Sequence, residues 1–322
     1  MTKTVMVGKT ALCGVLCLAL VGGAHAWEPQ RNVEFVVPYS AGGGSDINAR
    51  MLVEAIRETD MVNRNILINN RPGGSGAVGN SYTYSQRGNG HIITTFNGGQ
   101  MMSMLVNDAS VQLDDLTPLA TLSLDTLFVG VRAEGDIENL DDLIERAEQD
   151  PGGITVGGAG RGGEDHLAFA MLDNNLGVDF QYVPFDGTGD VTSALLGGHI
   201  DAAIFKLGSR VDQSMVRFLA TYSEERLDAP FDEVPTFDEL GYEGLELMIF
   251  RGYAGPPDMP EEAVEFWENV FRAAAETDKW TQEYVENNGL IPTFMGAEES
   301  AEYYQREQER YRVLFQEAGM ID

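Results

Sequence analysis

Short apolar segments that run into glycine loops and then into amphipathic helices recur along this chain, and that recurrence limits the fold more than any other feature. Val33 to Val37 reads as a buried strand, followed by Pro38-Tyr39, the loop Ser40 to Gly44 and a helical run from Asp46 to about Glu58. Ile47, Met51, Leu52 and Ala55 fall on one face of that helix. Ser45 or Asp46 can cap it, and the glycines leave its first amides uncovered. Ile66 to Ile68, His91 to Phe96, Ile154 to Val156, a segment ending at Tyr182-Val183, and Ile200 to Phe205 read as further strands. Most lead into loops rich in glycine: Arg71 to Gly76, Asn97-Gly98-Gly99, Gly157 to Gly163 and Phe185 to Thr188.

Strands alternating with helices predict an α/β protein with mainly parallel sheets flanked by helices on both faces. Ligands of such sheets bind beyond the carboxyl ends of the strands, where these loops lie. With 322 residues, 43% of them apolar, the chain is long enough for two cores. Leu122 to Val131 and Leu247 to Tyr253 read as crossings between two lobes, giving lobe 1 as 27–124 plus 247–322 and lobe 2 as 125–246. The stretch from Glu261 to Gly319 reads as mainly helical and as a solvated flank.

At the other end, Lys3 and Lys9 precede the apolar run Ala11 to Gly22, and Ala24-His25-Ala26 offers small residues for cleavage. That is the pattern of a secretory signal peptide over 1–26, cleaved near Ala26. The run is too short to span a bilayer, which takes roughly 20 residues. Both cysteines, Cys13 and Cys17, fall inside it, so a mature chain from about Trp27 has no disulfide or thiolate chemistry. Lys and Arg total 21 against 51 Asp and Glu, a net charge of −30, which argues against nucleic acid or an anionic membrane as partner. Such acidity reads first as the solvated surface of a halophilic protein facing high external salt, with ordinary acidic solubility as the alternative.

Three kinds of chemistry can be weighed against the loops. Gly158-Ala159-Gly160-Arg161-Gly162-Gly163 has the G-x-G-x-x-G spacing between a strand and a helix, with Asp186 23 residues after the last glycine, as a dinucleotide site requires. Chance matches to such a loop are common, and export removes the chain from nicotinamide cofactors. No phosphate-binding loop of the Walker type and no G-x-S-x-G nucleophile elbow is present, and His91, His166 and His199 stand apart from one another. What remains is several uncovered helix N-termini, each with about half a positive charge and free N–H donors, able to hold a carboxylate without a cation.

The order of motifs also resembles a known family. VPYSAGGGSD (37 to 46), INNRPGGSGAVG (68 to 79), VGGAGRGGEDHLA (156 to 168), VPFDGT (183 to 188), LLGGHIDAA (195 to 203) and VPTFDELG (234 to 241) are similar, in this order, to the extracytoplasmic receptors of tripartite tricarboxylate transporters, the Bug receptors. The resemblance implies a two-lobed periplasmic-binding-protein fold of type II, a Venus flytrap. Such a protein closes on a small carboxylate and delivers it to a permease with a large and a small membrane subunit, acting as a monomer in the periplasm without a cofactor and without catalysis. It places Tyr39, Gly43, Gly44, Ser45 and Asp46 on one side of the cleft, and Gly160, Arg161, Gly162, Gly163, His166, Phe185, Asp186, Gly187 and Thr188 on the other. Asn97, at the end of its strand, and Lys206, after another, join the candidate ligand set. Arg161 can pair with a second ligand carboxylate, or bridge to Glu164 or Asp186; Asp46 can cap its helix or accept from a ligand; Lys206 can bind ligand or end its strand in solvent. The rival readings are a receptor that feeds a signalling partner, and an exported dinucleotide-dependent oxidoreductase built on Gly158 to Gly163.

Overall fold

The computed structural model describes residues 1–2, 27–107, 109–185, 187–206 and 214–321; most of the expected signal peptide (3–26), with both cysteines, and Asp186 lie outside them. Eleven strands form two sheets among these residues. The first holds β1 (Val33–Val37), β2 (Ile66–Asn70), β3 (Ile92–Asn97), β4 (Thr117–Asp125), β10 (Ile249–Gly255) and β11 (Ile291–Met295), in the order β11-β4-β10-β3-β1-β2. The second holds β5 (Leu127–Arg132), β6 (Ile154–Ala159), β7 (Phe180–Phe185), β8 (Ala202–Lys206) and β9 (Val216–Thr221), in the order β7-β6-β8-β5-β9.

Parallel pairing is confined to one half of each sheet, so both sheets are mixed rather than mainly parallel. β1 runs parallel to β2 and β3, and β6 to β7 and β8, which are the strands that the glycine loops announce. The antiparallel half comes from the segments that join the sheets. β4 and β5 are separated by Thr126 alone, yet β4 pairs with β10 and β11 in the first sheet and β5 with β8 and β9 in the second. The chain returns through 222–248, where the Leu247 amide donates to the Tyr222 carbonyl at 2.9 Å, and enters the first sheet as β10. Both expected crossings are therefore connections between the sheets.

Helices follow the strands as the periodicity requires: α1 (Gly44–Glu58), α2 (Ala77–Ser85), α3 (Gly98–Val106), α4 (Leu140–Gln149), α5 (Glu164–Leu176) and α6 (Thr188–Leu196). On α1 the buried stripe is Ala49, Leu52, Val53, Ala55 and Ile56, packed with Val33, Phe35 and Val37. The C-terminal part departs from the solvated flank expected of it. α7 (Glu261–Ala275), the single turn α8 (Asp278–Trp280) and α9 (Ala297–Glu317) bury Trp267, Trp280, Tyr304, Tyr311 and Phe315 completely or nearly so. The buried aromatic residues of α9 recur at seven and four residues, one helical stripe that also takes in Glu307, while its other Glu and Arg residues lie mostly on the remaining faces. Tyr304 donates to the Ala120 carbonyl and Tyr311 to the Met248 carbonyl, which ties α9 to β4 and to the entry of β10.

Candidate functional site

The loop from Ser40 to Gly43 is held from below by Asp46. Its carboxylate accepts from the Gly42 amide at 2.8 Å, from Asn70 Nδ2 at 2.9 Å and from Arg50 through two bonds of 2.9 and 3.0 Å. Burial pushes this carboxyl up, but the bonds from Arg50, Gly42 and Asn70 outweigh it and hold it below the ordinary range. Asp46 thus neither caps α1, whose N-cap Gly43 has no side-chain partner, nor turns to the cleft. It fixes the loop so that the first amides of α1 stay open.

A cleft of about 620 Å³ lies between the lobes. The first lobe lines it with Tyr39, Gly43, Gly44, Ser45 and Asn97, and the second with Gly187, Thr188 and Lys206, all expected from sequence. Gly187 is the N-cap of α6 and, like Gly43, has no side-chain partner. Two uncovered helix N-termini, one from each lobe, therefore open into the same space. Asn97 is fixed at its edge: its Oδ1 accepts from the Gln100 amide as the cap of α3, and its Nδ2 donates to Ser45 Oγ at 3.4 Å. The Tyr39 hydroxyl, hydrogen-bonded to Asn97, is raised well above the ordinary range by burial and stays neutral.

The loop after β6 behaves differently from expectation. The Gly160 amide donates to the Phe185 carbonyl at 2.8 Å, the Gly160 carbonyl accepts from the Tyr182 hydroxyl at 2.8 Å, and the Gly162 amide donates to His166 Nδ1 at 3.1 Å. The His166 ring stacks on Tyr182 with centroids 4.5 Å apart. Gly160 and Gly162, at φ of 74° and 72°, build a turn that only glycine adopts easily, but the amides of these two glycines are already occupied. Gly160, Arg161, Gly162, Gly163 and His166 are absent from the cleft wall, and Arg161 is exposed with neither Glu164 nor a ligand position beside it. A pyrophosphate would need those same amides, so the loop does not present the anion cradle that its spacing suggests. Phe185 packs instead in the second lobe's core, among Val191, Leu195 and Ile200.

Sequence reasoning missed the charged floor. Glu164, the first residue of α5, and Arg251, on β10, both line the cleft together with Ile249 and Ala159. Glu164 forms an ion pair with Lys206, and Arg251 with Asp125, whose side chain is 1% exposed. Burial pushes the Lys206 ammonium down and Arg251 adds to that, while Asp125 opposes it. Burial also works against the Arg251 charge, but Asp125 more than restores it. A lone cation inside the apolar run Leu247 to Tyr253, and an acid directly after a glycine pair, were the signals in the sequence. Behind the floor, Asp165 is 3% exposed and its Oδ2 accepts from the Ala159 amide at 2.7 Å.

Among the described residues, no cluster of three or more His, Cys, Asp or Glu side chains is placed to hold a metal ion, and no helix is long and apolar enough to cross a membrane. The family model for the tripartite tricarboxylate transporter family receptor matches residues 49–320. The chain belongs to that receptor family. This receptor is 25% identical over 316 residues to a Cupriavidus necator protein described as the UPF0065 protein in gbd 5'region, covering 97% of this chain and 94% of that one. Its fold is that of the periplasmic binding protein BugD, with a TM-score of 0.79 at 25% identity over 91% of this chain and 99% of the other. An R. palustris protein solved with adipate shares the fold, with a TM-score of 0.79 at 24% identity over 90% of this chain and 98% of its own. The receptor is thus a two-lobed α/β protein of the kind its sequence motifs resemble.

Proposed function

We propose that this receptor is exported through a cleaved signal peptide, works in the periplasm as a monomer, and captures a small carboxylate between lobe 1 (27–124 plus 247–322) and lobe 2 (125–246). It performs no chemistry on its ligand and hands it to the large and small membrane subunits of a tripartite permease. One observation carries this reading above the others: the bare N-termini of α1 and α6 open into one cleft from opposite lobes. Each supplies unpaired N–H donors and about half a positive charge, so a carboxylate gripped by both holds the lobes together. Closure then follows from the ligand's greater affinity for the closed arrangement. Lys206 and Arg251 on the floor can take a second anionic group of the ligand only by exchanging it for Glu164 or Asp125.

The test is a thermal-shift and calorimetric screen of the chain from Trp27 in high-salt buffer, against mono-, di- and tricarboxylates, aromatic acids and NAD(P). A ligand at 100 times its Kd stabilises the folded state by about 2.7 kcal/mol, a readable rise in Tm. A shift with one carboxylate class, lost in Gly187→Ala, supports the reading. A shift with dinucleotide alone, or a carboxylate shift that Gly187→Ala leaves intact, overturns it.

A further inference from the structure

A second cavity, of about 670 Å³, lies behind the segments that join the lobes. Met248 and Leu124 line it, whereas Ile249 and Arg251 line the front cleft. Successive residues of an extended chain point to opposite faces. The two cavities therefore sit on opposite faces of the same connecting strands. The walls of the rear cavity come from both lobes: Glu224 to Ala229 from the second, and Val285, Ile291, Tyr303 and Glu307 from the first.

Its charge is one-sided. Glu224, Glu225, Asp228, Glu286 and Glu307 face two arginines, and Arg226 is already engaged by Glu239 at 2.8 Å and by the Asp232 carbonyl. Glu307 is the decisive side chain. It is 7% exposed, its Oε2 has no hydrogen-bond partner, and its nearest cation, Arg310, stands 3.9 Å away while donating to the Glu246 carbonyl. A buried carboxylate left in that condition is costly. Glu224 of the opposite lobe acts on the same carboxyl from across the cavity, so the two acids repel each other there. The rest of the wall is apolar or aromatic, with Leu124, Met248 and Ile291 beside the Tyr303 ring, which already draws Arg306 to 5.7 Å.

We propose that this rear cavity is a binding site for a small organic ammonium ion, its charge set between Glu224 and Glu307 and its carbon body against Tyr303, Met248 and Ile291. The volume suits a small molecule, and a quaternary or primary amine on an apolar stem matches both the acids and the ring. An inorganic cation answers the charge but leaves the apolar wall unfilled. The position also gives the site a regulatory consequence, which rests on the receptor reading: closing the front cleft draws the rear walls apart, and Glu224 away from Glu307, so a cation held by both acids favours the open front.

The probe is choline, titrated into the purified chain by calorimetry at fixed ionic strength, with potassium chloride as its match. Saturable binding of choline and none of potassium is expected. Glu307→Gln should weaken it at least tenfold and the exposed Glu224→Gln about threefold, while Glu309→Gln, on an outer face of α9, leaves it unchanged. Circular dichroism checks that Glu307→Gln folds, and Glu224→Gln carries the test should it not. No saturable heat, an equal response to potassium, or unchanged affinity in Glu224→Gln overturns the site. A larger radius of gyration in solution scattering with choline bound supports the coupling; an unchanged or smaller one overturns the coupling and leaves both the site and the carboxylate reading standing on their own titrations.

Discussion

Replacing Asp165 with asparagine should stabilise this protein, and by an amount that depends on pH. Asp165 sits at the start of α5 beneath the cleft floor, where burial, and after it the neighbouring Asp125 charge, raise its carboxyl from 3.8 to about 7, against the lowering effect of the Ala159 amide. Between those two values the folded chain holds a proton that the unfolded chain has released, so stability falls as pH rises. The contribution is fully present below pH 3.8 and lost by the time pH passes about 7. Each factor of ten in acidity corresponds to 1.36 kcal/mol, so the whole span amounts to about 4 kcal/mol. The asparagine side chain keeps an oxygen for the Ala159 amide and has no charge to desolvate. Global unfolding in urea, for parent and Asp165→Asn at intervals from pH 4.5 to 8.5, reads the difference directly, and the chain's large net charge cancels between the two. The variant should exceed the parent by only about 1 kcal/mol near pH 4.5 and by about 4 kcal/mol at pH 8.5. A difference that stays flat across that range, or that favours the parent at high pH, refutes the reasoning.

Three further substitutions separate folding from binding. Gly187→Ala adds a methyl where no atom lies within 4 Å and where φ is −175°, so stability should move by less than about 0.5 kcal/mol while carboxylate affinity in the calorimetric screen falls, because the methyl stands at the mouth of α6. Asp46→Ala removes the acceptor of the exposed Gly42 amide and one of the two acceptors of Asn70 Nδ2, which keeps the Tyr39 carbonyl; with half-exposed Arg50 contributing little, denaturant unfolding should show a loss of about 1–2 kcal/mol. Gly252→Ala places a carbon 2.9 Å from the Ala120 carbonyl oxygen and against the Tyr304 hydroxyl, and should cost about 1–3 kcal/mol in the same assay without touching the cleft.

The parallel halves of both sheets were legible because each strand is an apolar run stopped by glycine: β1 is read at its observed bounds, and the helix after it to within two residues. The antiparallel halves were not. Leu122 to Val131 looks like one strand because nothing at Thr126 marks the change of sheet, and β11 carries Pro292 and half-exposed residues that hide it as an edge strand. Within the site, glycine spacing located the loops but not the fate of their amides. Whether a loop amide is free depends on its partners in the folded chain: the Phe185 carbonyl takes the Gly160 amide and His166 takes the Gly162 amide, while the amides of α1 stay open because Asp46 draws its loop down and away. The two loops look alike as strings of glycine and differ in what the tertiary structure does to them.

That difference bears on how a chain of net charge −30 can attract an anion at all. The cations of the cleft are not a net attractor, since Lys206 is matched by Glu164 and Arg251 by Asp125. The unmatched positive potential belongs to the helix N-termini of α1 and α6, and partial charges on backbone amides do not titrate. They also cannot be drawn into the surface ion pairs that abundant acidic side chains would otherwise form with any free lysine or arginine. In molar salt the Debye length falls to about 3 Å, so the acidic exterior is screened from an incoming carboxylate until the lobes exclude the solvent. On the proposed carboxylate reading, a receptor this acidic gains by placing its anion grip in the backbone and keeping its few cleft cations neutralised, ready to exchange one carboxylate partner for another.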